Sequence, residues 1–88
     1  MKHMNEILQN KISFFKFMSK KFPVKYKSNI FLRDVQFAIK DYFDQKNVKL
    51  SYTETENMAK ELMKTLVDAG EAEQLTEKSW EFLIKLED

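Results

Sequence analysis

Apolar residues Ile7, Leu8, Ile12, Phe14, Phe15, Met18 and Phe22 recur at helical spacing from Asn5 onward, with no glycine or proline before Pro23. They predict a first helix ending near Lys21, because Pro23 disfavours helical geometry at Phe22. Val24-Lys25-Tyr26-Lys27 then alternates like a short extended piece, and Ser28 or Asn29 is placed to cap the next helix. From Ile30 to about Gln45, Phe31, Val35, Ala38, Ile39, Tyr42 and Phe43 make one stripe of helical period, a second helix. Val48-Lys49-Leu50-Ser51 alternates again. Thr53 followed three residues later by Glu56 carries a capping-box pattern and predicts the start of a third helix. Its buried face is Met58, Ala59, Leu62, Met63, Leu66 and Ala69, and Gly70, the one glycine of the chain, sits where a left-handed C-terminal cap belongs.

Beyond Gly70 the period changes. Trp80, Phe82, Ile84 and Leu86 alternate with Glu81, Leu83, Lys85 and Glu87, which predicts a strand and, with a turn at Glu77-Lys78, a hairpin over residues 71–86. Trp80, Leu83, Ile84 and Glu87 can also be written on a fourth helix. The expectation is a single domain over residues 1–88, mainly α with a small β-hairpin. His3-Met4 matches a cloning junction, with Met4 a natural initiator, so residues 1–3 and His3 carry no weight in the argument.

Three helices, a terminal hairpin and short extended pieces between the helices resemble a winged helix-turn-helix domain over nearly the whole chain. A narrower similarity, to the DEP domains of signalling proteins, rests on Phe31 followed by a helix, then Glu56 to Gly70, then the hairpin. Arg33 and Ile39 stand where that family usually has glycine and tryptophan, so only the broad class is carried forward. The resemblance implies a three-helix, winged-helix-like fold in which the third helix enters a DNA major groove and the wing touches the backbone.

Composition narrows the chemistry. With 43% hydrophobic and 33% charged residues the chain is globular, and no apolar run approaches the roughly 20 residues of a membrane-spanning helix. The start also lacks the apolar core of a signal peptide. The absence of cysteine rules out a disulfide or a thiolate metal site and is compatible with a reducing cytoplasm, the expected location. With His3 set aside there is no histidine base, no phosphate-cradling glycine loop and no calcium-loop spacing, so the expectation is a non-enzymatic protein without cofactor or metal.

Charge is distributed unevenly. Residues 1–50 hold 11 Lys and Arg against 4 acids, and residues 51–88 hold 4 against 10, so a net +1 conceals halves of +7 and −6. Between Glu6 and Asp34 there are seven cations and no acid. Lys16, Lys20, Lys21, Lys25, Lys27 and Arg33 are therefore candidate phosphate ligands, against the alternative of a solvated face. Tyr26 and Phe22 lie among them and can pack or stack on bases. Asn57, Lys60 and Lys64, with Thr53 and Thr55, are the polar types on the third helix that reach bases or phosphates. Glu54, Glu61 and Asp68 on that helix, and Glu71, Glu73, Glu77 and Glu81 in the hairpin, oppose such contacts.

Phe17 and Phe37 fall off their helical stripes and are candidate partner-binding residues. Lys11 points toward the apolar side of its helix, where its stem can snorkel. Two functions stay open. One is a nucleic-acid-binding module, a small regulator or replication-associated factor positioned on DNA by the basic half. The other is a protein-interaction module, self-associating as a dimer or docking a partner through exposed aromatics and separated charge, as an inhibitory or accessory protein of a mobile element would. Neither calls for a membrane or a small-molecule substrate.

Overall fold

The computed structural model describes residues 2–86, in the order α1 (Lys2–Gln9), α2 (Lys11–Met18), β1 (Asn29–Phe31), α3 (Leu32–Asp44), α4 (Tyr52–Asp68), β2 (Ala72–Thr76) and β3 (Ser79–Phe82). This is a small α/β domain of four helices and a three-stranded antiparallel sheet, ordered β1-β3-β2. Residues 71–86 contain the hairpin and not a further helix after Gly70, and its turn falls at Glu77-Lys78 as expected. Among the described residues no helix is long and apolar enough to cross a membrane.

The count of three helices is corrected at Asn10. Its backbone leaves helical geometry (φ −123°, ψ 33°), and its side-chain amide donates to the Glu6 carbonyl at 2.9 Å. An asparagine that competes in this way with the helical ladder ends one helix and lets another begin at a new angle. Met4 and Ile7 of α1 and Phe14, Phe15 and Met18 of α2 still enter one core, while Ile12, expected inside, is exposed.

The helix expected from Ile30 begins two residues later, at Leu32. Ile30 and Phe31 belong to β1, because Asn29–Phe31 pairs with Ser79–Glu81 of β3 and satisfies its backbone there. Ile30 faces the core opposite Trp80, so Phe31 must face out, and Leu32 and Gln36 take its place in the buried face of α3. Ser28 and Asn29 do not cap α3: Phe31 holds the N-cap position without a side-chain bond. Val24–Lys27 and Val48–Ser51 are loop rather than strand.

The cap of α4 lies two residues before the Thr53–Glu56 pair. The Ser51 hydroxyl accepts from the Glu54 N–H and the Glu54 carboxylate accepts from the Ser51 N–H, both at 3.1 Å. Starting at Tyr52 also lets the Thr55 hydroxyl bond back to the Tyr52 carbonyl at 2.9 Å, and Thr55 is buried. At the other end Gly70 has φ 74°, with Glu71 N–H bonded to Leu66 O and Gly70 N–H to Val67 O, a Schellman termination. Ala69, the C-cap, is exposed and not part of the buried face. Asn47, at φ 60°, ends α3 by the same pair of bonds, Val48 N–H to Phe43 O and Asn47 N–H to Asp44 O.

β3 is the axis of the sheet. Trp80 and Phe82 point inward with Ile30 and Ala72, and burial alternation continues past the strand to Ile84. On the outer face Asn29, Glu81 and Glu73 lie in one row. Lys27 N–H bonds Phe82 O at one end of β3, and Leu32 N–H bonds Lys78 O at the other. Four residues of strand separate these ends by about 13 Å.

Candidate nucleic-acid interface

The lysine-rich end is built where α2 stops. Lys16 lies in the last turn of α2, and the Ser19 hydroxyl donates to the Lys16 carbonyl at 2.7 Å, closing a terminus whose dipole favours cations. Pro23 turns the chain, and Ser28 folds the loop on itself. Its hydroxyl oxygen accepts from Lys25 N–H at 2.9 Å and its O–H points to the Lys25 carbonyl at 2.7 Å. Lys27 takes a left-handed backbone (φ 67°), and the loop is pinned to β3 by Lys27 N–H to Phe82 O and Phe82 N–H to Ser28 O. The basic segment is thus held to the sheet rather than hanging from it.

A depression of about 600 Å³ opens on this end. Phe22, Pro23, Val24 and Leu86 supply its apolar lining, and Lys16, Lys20, Lys25 and Ser19 its polar groups. Tyr26, which follows Lys25 in the chain, is 45% exposed, with the ammonium groups of Lys27 and Lys85 at 5.6 and 5.1 Å from its ring centre. Among the described residues, Lys16, Lys20, Lys25 and Lys27 have no carboxylate within 4.0 Å, as is also true of Lys60, Lys64, Lys78 and Lys85, whereas Lys11, Lys21, Lys40, Lys46 and Lys49 each have one. Lys21, expected in the patch, is directed to Asp41 at 2.8 Å. Lys11 pairs with Glu71 with its stem half-buried, the structural role its position implied.

Arg33 belongs to another surface. It is bound to the opposite end of β3 through Leu32, and its guanidinium sits 5.3 Å over the ring of Phe37. With Phe37, Tyr52, Glu56 and Lys78 it lines a groove of about 410 Å³ between α3, the start of α4 and the hairpin turn. Gln36 holds that junction by donating to the Tyr52 carbonyl at 3.2 Å.

The residues expected to read bases form a third surface. Asn57, Lys60 and Lys64 are exposed on α4, and the two lysines line a groove of about 400 Å³ with Val67, Asp68, Gln74, Glu77 and Trp80. Asp68 and Glu77 bring negative charge into it. Thr53 is exposed, but Thr55 is 1% exposed, with its hydroxyl committed to the helix backbone and the Gln36 amide. The nine residues expected to bind nucleic acid therefore divide among three surfaces.

Phe17 is corrected as an exposed interface residue: it is half-buried, its ring edge-on to Tyr42 at 5.5 Å. Phe37 is exposed (40%) as its position predicted. Tyr42 and Phe37 are five residues apart, about 140° around α3, so Phe17 and Phe37 address different flanks. Lys85, Ser19 and Leu86 were absent from the sequence-derived set. Lys85 had a signal, since it occupies the polar phase of the terminal alternation. Leu86 had the opposite signal and was assigned to the core it partly joins.

Compared with known proteins, the chain matches no family model, no curated protein and no solved structure. Its chemistry rests on these surfaces alone.

Proposed function

We propose that this chain is a non-enzymatic, winged-helix-like module that holds nucleic acid by its phosphates, through Lys16, Lys20, Lys25 and Lys27. The winged-helix comparison is supported by the order strand, helix, helix, hairpin after the first two helices, with β1 antiparallel to β3. The observation that carries the binding reading is a depression lined by three lysines and no acid. Lys16, Lys20 and Lys25 line it and, with Lys27, have no carboxylate at ion-pair distance among the described residues, whereas Lys60 and Lys64, also unpaired, share their groove with Asp68 and Glu77. An unneutralised cluster on a pinned loop attracts polyanions and releases their counterions on binding. Major-groove reading by α4 has less support, because Glu54, Glu61 and Asp68 accompany Asn57, Lys60 and Lys64.

The test is anisotropy of a labelled oligonucleotide titrated with the full chain over a series of salt concentrations. Contact with four phosphates gives a log–log slope of about −3 to −4. No binding at low salt, or binding indifferent to salt, overturns the proposal.

A second reading, a protein-interaction module, is favoured by one observation: Phe37 and the well-exposed Tyr52 share a groove with Arg33 and Lys78. Aromatic and arginine side chains are the types enriched at interface centres. Self-association that fails when Phe37 is made polar would support it.

A further inference from the structure

The depression beside α2 has a composition that phosphate binding alone does not require. Its lining joins an apolar floor of Phe22, Pro23 and Leu86 to a rim of Lys16, Lys20 and Lys25, and its volume of about 600 Å³ lies within the range of roughly 300–1,000 Å³ used by small-ligand sites. Tyr26, next along the chain from the lining residue Lys25, adds an exposed ring. A duplex presents phosphates and keeps its bases stacked inside, so it would cover the lysines and leave the apolar floor facing hydrated backbone. A single strand can turn a base onto that floor while its flanking phosphates meet the rim.

We propose that this end of the molecule binds single-stranded nucleic acid in preference to duplex, with a base seated over Phe22 and Leu86 and a neighbouring base stacked on Tyr26. The inference rests on the nucleic-acid reading above. In the free protein Lys27 and Lys85 lie over the Tyr26 ring, held by the attraction of an ammonium for a π face. Arriving phosphates draw these ammonium groups toward the strand and uncover the ring. Stacking of this kind tolerates any base, so the preference is for strandedness and not for sequence. Charge complementarity argues for the same occupant: a strand supplies repeated anions and flat apolar faces together, the two features that the rim and floor require.

The experiment compares anisotropy of a labelled oligothymidine of about 20 nucleotides with that of a duplex of equal length, using the full chain at low salt. The expected result is about tenfold tighter binding of the single strand. Tyr26→Ala should weaken single-strand binding about fivefold or more and leave duplex binding unchanged, and Tyr26→Phe should retain wild-type affinity. Circular dichroism checks that both variants fold, as the exposure of Tyr26 implies. Equal affinity for strand and duplex, or a Tyr26→Ala variant with unchanged single-strand binding, overturns the single-strand inference while leaving phosphate binding intact. Absence of binding to either oligonucleotide overturns both and turns attention to an acidic protein partner.

Discussion

The two ends of β3 carry cations of different standing. At the Phe82 end, Lys16, Lys20, Lys25 and Lys27 surround a tightly hydrogen-bonded loop with no carboxylate at ion-pair distance among the described residues. Along α4 and beside the hairpin turn, Lys60 and Lys64 share a groove with Asp68 and Glu77. Both regions are rich in charge, but the depression at the first is lined by cations without an acid, while the Glu73–Glu81 pair lies on the outer sheet face near the same end of β3. Counting cations therefore says less about binding than knowing which cations already stand beside acids.

The sharpest way to break this comparison is reciprocal charge reversal. Replacing Lys16, Lys20 and Lys25 with Glu should cost oligonucleotide affinity about a hundredfold or more, as several phosphate contacts become repulsions. Lys60→Glu with Lys64→Glu should change it by about threefold or less. Titration of both variants at one salt concentration decides the matter, and equal losses would mean that the two ends act as one surface.

Next in size are changes to the two terminations of α4. Gly70→Ala should cost about 1 kcal/mol, since an added Cβ meets nothing within 4 Å but the left-handed φ of 74° disfavours it. Ser51→Ala removes the cap of α4 and should cost about 1 kcal/mol as well. Each predicts a drop in Tm of about 4–8 °C for a domain of this size, with oligonucleotide affinity unchanged below the transition. An affinity loss matching the stability loss would show that binding depends on how α4 is terminated.

Phe37→Ser sharpens the comparison further. The side chain is 40% exposed, so stability should change by about 0.5 kcal/mol or less and oligonucleotide binding should not move. Any shift in oligomeric state by light scattering assigns the Arg33–Phe37–Tyr52 groove to a partner.

The smallest effect concerns Lys46. Its ammonium hydrogen-bonds the Glu6 carboxylate, which raises its pKa above the ordinary lysine value, with Tyr42 adding to the rise and desolvation opposing it. A raised folded-state pKa contributes stability that is present below the ordinary lysine range and lost as pH climbs through the raised value. The Tm difference between wild type and Glu6→Gln should accordingly shrink at strongly alkaline pH. Lys46 is exposed and the effect is slight; a difference constant through that range would show that Glu6 acts by another route.

Local chemistry explains which elements were legible in advance. The stripe over Met58, Ala59, Leu62, Met63 and Leu66, the left-handed Gly70 and the alternation through Trp80, Phe82 and Ile84 all express backbone geometry through neighbouring residues. β1 was not legible, because three residues of strand are specified by their partner Ser79–Glu81, some fifty positions away. The same distance concealed Phe31, which periodicity assigned to a helix and pairing turned outward. The break at Asn10 and the cap at Ser51 lay between, since competing local patterns were present and packing chose among them.

For the candidate site the division follows the same physics. The sequence by itself determined that the first half is basic, that Pro23 interrupts it and that Tyr26 lies within it, because composition and order are independent of folding. Only tertiary structure decided which cations lie together. Asp41 stands twenty positions from Lys21 and still takes it out of the cluster, while Lys85 arrives from the far end of the chain to lie over Tyr26. Arg33, close to the cluster in sequence, goes to the other end of β3 with Leu32. Electrostatic interaction depends on distance through space, and in this protein β3 sets those distances.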